Sequence, residues 1–416
     1  MSDDRFDIVI VGGGMAGSSL ACALAGLPLR IAVVEGVPYD APEHPGFDER
    51  VIALAWGSAR IFEGMGVWQA IRPEAEPIHH IHISDRGHFG VCRLDRCREG
   101  VEALGYVVPV RAVGGVLSRR LRELDNVDLI CPARLEALRL EESGAEVVVA
   151  SGDGSRRTLA TRLVVGADGA RSRVRERAGI GCHESDYRQS AVIANVVTSR
   201  PHRNVAYERF TDTGPMALLP MTAAGEGAKP HRCSLVWTVP GEAAAEVLAL
   251  EEGEFLDRLQ QRFGWRLGRF VRSGRRSAYP LVLLEAESSR VPRVALVGNA
   301  AHTLHPIAGQ GFNLGLRDVA VLAELVASHA DPGEAALLAA YGRWRQRDQR
   351  AVIRFTDSLA RLFTLPLPPL IAARDAALVA LENAAPVRRR LTRLTMGLGG
   401  RLPRLARGLP LRGGDT

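Results

Sequence analysis

Three glycine-centred clusters in this chain have the residue types and spacing to hold an anionic ligand. The first, Gly12-x-Gly14-x-x-Gly17, follows the apolar run 6–11 (FDIVIV) and opens a stretch rich in Ala, Leu and Ser. In that setting Gly12 permits a tight turn. Gly14 lets the backbone approach a pyrophosphate, and Gly17 lets a helix lie close on a strand. The helix N-terminus then presents free N–H groups and the positive end of its dipole. Glu35 closes the next apolar run (29–35, LRIAVVE), 21 residues after Gly14, where a carboxylate can accept from ribose hydroxyls. Strand, glycine turn, helix, strand and acid together point to a dinucleotide.

The second cluster, Gly166-Ala167-Asp168-Gly169, closes the run RLVVGADG and precedes Ser172 and Arg175. An Asp there either bridges a ligand to a neighbouring loop or caps the following helix. The third runs from Gly298-Asn299-Ala300-Ala301-His302 to His305-Pro306-x-x-Gly309-Gln310-Gly311-Phe312-Asn313. Small residues again lead into a helix N-terminus, suited to an anionic or electron-rich ligand. The distance between the first and third clusters implies one extended cofactor gripped at both ends. His302 and His305 are placed for a ring contact with that ligand. His79, His80, His82 and His88 read as part of a mixed loop and strand. Cys92 and Cys97 lack a second pair, so no metal site is expected. Phe355-Thr356-Asp357 reads as a helical cap or a solvated face.

The elements that must position these clusters follow from periodicity. The strands at 6–11 and 29–35 are apolar throughout, as in a parallel sheet covered on both faces. Residues 127–169 are β-rich with a turn at Ser151-Gly152-Asp153-Gly154, and 183–283 hold further alternating runs plus a helix at 251–263. A buried strand is expected at 292–299 and a long helix at 313–328. Beyond Gly333 the pattern is helical to about Ala384, broken at 365–369. Residues 8–29 are uncharged over 22 positions, the length of a membrane span, but the glycines and the preceding Asp3, Asp4 and Asp7 mark strand, turn and helix, not a signal peptide.

The chain has 416 residues, 46% apolar and 24% charged, which excludes a disordered polymer and is long enough for two domains. Its net charge of +6 is local: residues 387–416 carry eight Arg and one Asp, leaving the body close to neutral. That excludes a nucleic-acid-binding body and points to a tail that meets an anionic surface. Six scattered cysteines without a C-x-x-C pair suit a reduced compartment.

The clusters, read as GGGMAG at 12–17, GADGARSRVR at 166–175 and GNAAHTLHPIAGQGFN at 298–313, resemble the FAD motifs of the flavin-dependent aromatic hydroxylases of the para-hydroxybenzoate hydroxylase type. The resemblance spans about residues 5–360. DERVIALAWGSARIFEGMGVW at 48–68, HISDRGHFG at 82–90, AVIANV at 191–196, YERFTDTGPMALLPM at 207–221 and SAYPL at 277–281 are similar to its ubiquinone-biosynthesis branch, in particular to 2-polyprenyl-6-methoxyphenol hydroxylases.

The resemblance implies an α/β fold in which a Rossmann-like FAD-binding domain (1–75, 100–182 and 284–334) is interleaved with an antiparallel-sheet substrate domain (76–99 and 183–283). A helical C-terminal region (335–386) and a basic tail (387–416) follow. It implies that Gly12, Gly14, Gly17 and Glu35 hold the ADP half of FAD, that Arg50 and Asp168 lie by the cofactor, and that Gly298 and Asn299 meet its ribityl–phosphate region. Pro306, Gly309, Gln310, Gly311, Phe312 and Asn313 would line the isoalloxazine. Arg50, Pro306 and Tyr279 are the catalytic candidates, Tyr279 as a hydrogen-bond donor to a phenol. Two positions depart from the pattern. Asn299 stands where many relatives have Asp, and Ala112 where a polar side chain often approaches the flavin.

The reaction so implied uses NAD(P)H and O2, with a flavin hydroperoxide delivering oxygen to the ring of a polyprenylated phenol. No triad or metal is required, and no second G-x-G-x-x-G provides a separate NAD(P)H domain. An apolar cavity is needed, with 215–221 and 279–281 as its walls. The location implied is cytoplasmic, peripheral on the inner membrane. Arg/Leu pieces within 387–411 would make that contact and be removable after Pro386 without loss of FAD. Other ubiquinone-biosynthesis proteins are further partners on this reading. The rivals are a hydroxylase of another aromatic compound, a reductase or halogenase, and a non-catalytic FAD-binding subunit. A tryptophan-halogenase-like chain would carry W-x-W-x-I-P and a catalytic lysine. This chain lacks the motif, and its single lysine is Lys229.

Overall fold

The computed structural model describes residues 4–39, 50–223, 231–364 and 367–412. Asp48, Glu49, Lys229 and the Leu365-Pro366 break lie outside them. The uncharged stretch 8–29 is strand, glycine turn and helix: Arg5–Val11 ends at the turn and Met15–Ala23 follows. Among the described residues no helix is long and apolar enough to cross a membrane.

Arg5–Val11 is the centre of a mostly parallel sheet. It pairs in parallel with Ile31–Val34 on one side and Arg156–Gly166 on the other, and Val127–Ile130 and Val294–Leu296 extend these flanks in parallel. Every residue from Ile8 to Val11 is buried, which is why the run carries no alternation. One face is covered by the helices Met15–Ala23, Val110–Arg122 and Gln310–Ala327, the other by the antiparallel strands Ala133–Leu140 and Ala145–Ser151.

A second sheet of nine strands runs His302–Thr303, Ser277–Ala286, Cys182–Thr198, Arg232–Pro240, Gly214–Pro220, Val205–Thr211, His80–Asp85 and Val91–Asp95, with Phe270–Ser273 also on Cys182–Thr198. All its pairings are antiparallel except that of Val205–Thr211 with His80–Asp85. Strict alternation divides its two faces. Val192, Val196, Met216, Leu218, Leu235 and Trp237 pack on the helices Ala244–Ala249 and Glu252–Phe263. The residues between them, Ala191, Ile193, Ala217, Leu219 and Val236, turn to a cavity. A small third sheet joins Val51–Ala55, Gly105–Pro109 and Glu76–Ile78. The chain crosses repeatedly between sheets, so the fold is an interleaved α/β architecture with a helical C-terminal region.

The C-terminal helices are Ala335–Thr364, Pro368–Asn383 and Ala385–Thr395. The basic segment corrects one part of the sequence reading: its end is packed on the body and is not a detached tail. Leu405 and Ala406 are buried in the main core, the Met396 carbonyl accepts from Gly57 N at 2.9 Å, and Trp344 Nε1 donates to the Arg401 carbonyl. The Arg/Leu text here is the amphipathy of a segment in which Leu405 is buried and Leu391, Leu394, Leu398 and Leu402 are half-buried, while Arg389, Arg390, Arg393 and Arg401 face solvent.

Candidate active site

At the first cluster the sequence produces a turn that only glycine adopts easily. Gly12 has φ +103°, and its Cβ position is filled by the Ala167 carbonyl. A Cβ on Gly17 would strike the Gly12 carbonyl, so Gly17 sets how closely helix and strand pack. Gly14 differs from both. Nothing lies within 4 Å of its Cβ position, and it faces a cavity of about 990 Å³.

Of the cofactor and catalytic residues expected from the sequence, that cavity collects all but Gly17, whose place is in the packing behind it; the two histidines expected at the ligand, His302 and His305, lie outside its lining. Glu35 closes the glycine turn from the side: its carboxylate accepts from Gly13 N at 2.6 Å and Val37 N at 2.8 Å. Asp168 forms the helix cap and its residue also borders the cavity. Its carboxylate accepts from Ser172 Oγ, Arg173 N and Val174 N at the start of the helix Arg173–Arg177. Burial raises the Asp168 carboxyl above its ordinary value, against the pull of these donors.

The third cluster is fixed from behind by buried charge. His302 Nε2 meets Asp318 Oδ2 at 2.7 Å, Gly298 N donates to the same carboxylate at 3.2 Å, and Arg345 Nε donates to its other oxygen at 2.7 Å. Burial alone would raise the Asp318 carboxyl; the His302 ring and the Arg345 guanidinium bring it down to about 2. Asn313 lines the cavity and also has a structural duty. Its carboxamide accepts from Ala55 N and donates to the carbonyls of Ala53 and Gly309, so it staples the helix Gln310–Ala327 to the strand Val51–Ala55. The ring contacts expected of His302 and His305 are not formed with the cavity. Both side chains are buried outside its lining, and His305 packs edge-on to Tyr187 with its ring pulled down to about 4 by burial. Ala112 packs on the core, away from the cavity. Arg50 lies over the Tyr279 ring, 4.9 Å from its centroid.

The residues present fit a long dinucleotide with an electron-rich ring. The helices Met15–Ala23 and Gln310–Ala327 both begin at the cavity with a glycine N-cap and no side-chain capping bond, leaving backbone N–H groups for a ligand. Thr303 Oγ1 and Gln310 Oε1, also at the lining, are buried without a partner among the described residues.

Sequence reading missed part of the wall. Phe355, Leu359 and Phe363 of Ala335–Thr364, Leu378 and Leu381 of Pro368–Asn383, and Leu391, Thr392, Thr395 and Met396 close the cavity. The sequence around Phe355 reads as a cap or solvated face, and the structure turns Phe355 to the cavity instead. The spacing of Phe355, Leu359 and Phe363 is the helical period that marked an inward face. Glu208 also lines the cavity, between Ala206 and Phe210, and the period-two run at 205–211 carried that signal.

This architecture is that of a nucleotide-cofactor oxidoreductase in which a Rossmann-like unit and an antiparallel sheet share one cavity. The family comparison is specific: the FAD binding domain model matches residues 5–356, and the chain belongs to that family of FAD-binding proteins. It is 40% identical to ubiquinone hydroxylase UbiL of Rhodospirillum rubrum over 99% of this chain and 94% of the relative. It is 31% identical to the 3-demethoxyubiquinol 3-hydroxylase of Escherichia coli over 96% and 100%, respectively. It is 30% identical to the mouse ubiquinone biosynthesis monooxygenase COQ6 over 94% and 90%. The crystal structure of p-nitrophenol 4-monooxygenase PnpA from Pseudomonas putida matches with a TM-score of 0.77 at 20% identity, covering 96% of this chain and all of that one, a likeness of fold.

Proposed function

We propose that this chain is an FAD-dependent monooxygenase that hydroxylates the ring of a polyprenylated phenol in ubiquinone biosynthesis, with NAD(P)H and O2 as co-substrates. The observation that carries this reading is one cavity shared by all three glycine-centred clusters and an apolar sheet face. FAD, when bound, supplies the electron store and the activation of O2. Gly12, Gly14 and the N-terminus of Met15–Ala23 would hold its pyrophosphate, with Glu35 at the ribose and Asp168 beside it. Gly298 and Asn299 would meet the ribityl–phosphate. Pro306 and Gly309 to Asn313 would border the ring system, with Arg50 and Tyr279 at its edge. The parallel-sheet segments then form the FAD unit and the nine-stranded sheet the substrate unit. The apolar wall from both sheet and C-terminal helices excludes water from the reacting ring and provides room for a prenyl chain.

The test is direct. The purified yellow protein should oxidise NAD(P)H faster when a prenylphenol is added, and mass spectrometry should find the phenol heavier by one oxygen. A flavin that stays oxidised with every phenol would favour the non-catalytic subunit.

Membrane contact belongs to the same proposal. The helices that wall the cavity with Leu378, Leu381 and Leu391 expose Val379 and Val387 on their outer side, next to solvent-facing Arg390 and Arg393. Each arginine at an anionic lipid surface adds about 1 kcal/mol. Replacing Arg390 and Arg393 by Ser should weaken sedimentation with anionic vesicles; unchanged sedimentation would remove these helices as the contact.

A further inference from the structure

The cavity face of the second sheet carries one carboxylate. Glu208 sits between Ala206 and Phe210 on its strand; across the ladders it faces Ile83 on one side and Ala217 on the other, with Val236 and Ile193 continuing the row. No hydrogen bond or ion pair holds its carboxyl among the described residues, yet its side chain is turned into the cavity. A carboxyl left without a partner in apolar surroundings costs free energy unless a ligand completes it. Its ladder partners Ile83 and Ala217 are uncharged, and so are Phe355, Leu359, Phe363, Leu378 and Leu381, which the C-terminal helices present to the same cavity. The charged side chains of the cavity are Glu35, Arg50, Arg134, Asp168, Arg171 and Arg173. None of them perturbs Glu208: burial is the sole cause that raises its carboxyl to about 8. Tyr279, the phenol partner expected from the sequence, stands four strands away beneath Arg50.

We propose that Glu208 is a catalytic residue of this chain, whose carboxylate accepts the hydroxyl proton of the bound phenol. The proposal rests on the reading of function given above. In the step, the phenol O–H bond breaks and an O–H bond forms on a Glu208 carboxyl oxygen, while the electron pair stays on the phenolic oxygen and enriches the ring. That enrichment is what an electrophilic oxygen, delivered from O2 at the expense of NAD(P)H, requires. Once the new C–O bond has formed, the ring carbon loses its proton to water and aromaticity returns. Glu208 hands its proton back to the phenolic oxygen, so the carboxylate ends as it began. A carboxyl near 8 is a better match to a phenol than an ordinary one near 4, and a base matched to its acid transfers protons most efficiently.

The experiment compares FAD-loaded wild type, Glu208→Gln, Glu208→Asp and Glu208→Ala with a short-chain prenylphenol. Glu208→Gln keeps shape and polarity but cannot take the proton. Its turnover should fall roughly a hundredfold, with FAD content unchanged and Glu208→Asp more active than Glu208→Gln. The wild-type rate should rise through one ionisation at about pH 8, and that ionisation should vanish in Glu208→Gln. Prenylphenol binding, followed by the change in the flavin absorbance spectrum, should tighten over the same pH range in wild type and be flat in Glu208→Gln. Wild-type turnover and pH profile in Glu208→Gln would overturn the proposal alone. So would an Asp variant no better than Ala with the ionisation intact in all variants, which would mark the carboxyl as structural. A wild type that converts no phenol would overturn the functional reading and this proposal with it.

Discussion

At the scale of single residues, the site depends on one glycine that is open and on one aspartate that is closed in. Gly14 leaves space exactly where a Cβ would intrude on the cavity mouth of the Met15–Ala23 helix. Gly14→Val should therefore give a protein that folds but purifies without the flavin absorbance bands; a wild-type spectrum would refute that role. Asp318 is the common partner of His302, Arg345 and Gly298 N. Its folded value of about 2 lies below the ordinary carboxylate value near 4. The stability it contributes is therefore complete above about pH 4 and is lost as pH falls toward about 2. Asp318→Asn leaves His302 without its buried counter-charge and Arg345 with Asp348 alone, and should cost about 3–5 kcal/mol at neutral pH. Urea midpoints at neutral pH and near pH 3 should converge between the two proteins, because the wild type has by then lost part of the same interaction.

At the scale of elements, the basic C-terminal segment shows how composition can mislead. Its arginines read as a detached anionic-surface binder, but Leu405 sits in the main core and Met396 both lines the cavity and bonds Gly57 through its carbonyl. Deleting everything after Thr395 should lower stability by at least the 2–5 kcal/mol of one buried leucine. It should also open the cavity, reducing the flavin retained on purification. Thermal melting and the ratio of flavin to protein absorbance measure both effects; a truncated protein with wild-type values would contradict this packing.

At the scale of the whole molecule, the order of segments in the sheets governs what can fold alone. Val294–Leu296 pairs with Arg156–Gly166, and the helix Gln310–Ala327 covers the same face as Met15–Ala23. A fragment ending at Cys182 would keep the first two motifs but lose a flanking strand, a covering helix and the Gly298–Asn313 grip. It should emerge from limited proteolysis or expression unfolded and flavin-free; a stable yellow fragment would show that the two units are separable. The same reasoning bears on substrate size. Leu391→Trp in the helical wall should raise KM for long-chain prenylphenols more than for short ones, as steady-state kinetics with a chain-length series would reveal.

The sequence by itself determined what is local. Gly12, Gly14 and Gly17 after an apolar strand specify a turn, an approach and a packing contact within a few residues, and period-two and 3.6-residue patterns specify which runs become strands and helices. Much of the α/β fold and the cavity-lining positions from Gly12 to Asn313 were legible for that reason. What it could not determine are contacts between residues hundreds of positions apart. Asn313 reads as a ligand contact alone, and its second duty shows only when Ala53 and Ala55 are brought beside it. His302 and His305 read as site residues until Asp318 and Tyr187 claim them. Leu405 reads as tail until it enters the core. Glu208 reads as an ordinary charged strand residue until the second sheet and the C-terminal helices enclose one cavity that it lines, with no partner for its carboxyl among the described residues. Burial and partnership are properties of the tertiary assembly, and they decide which of two chemically equal side chains holds the fold and which is left for a ligand.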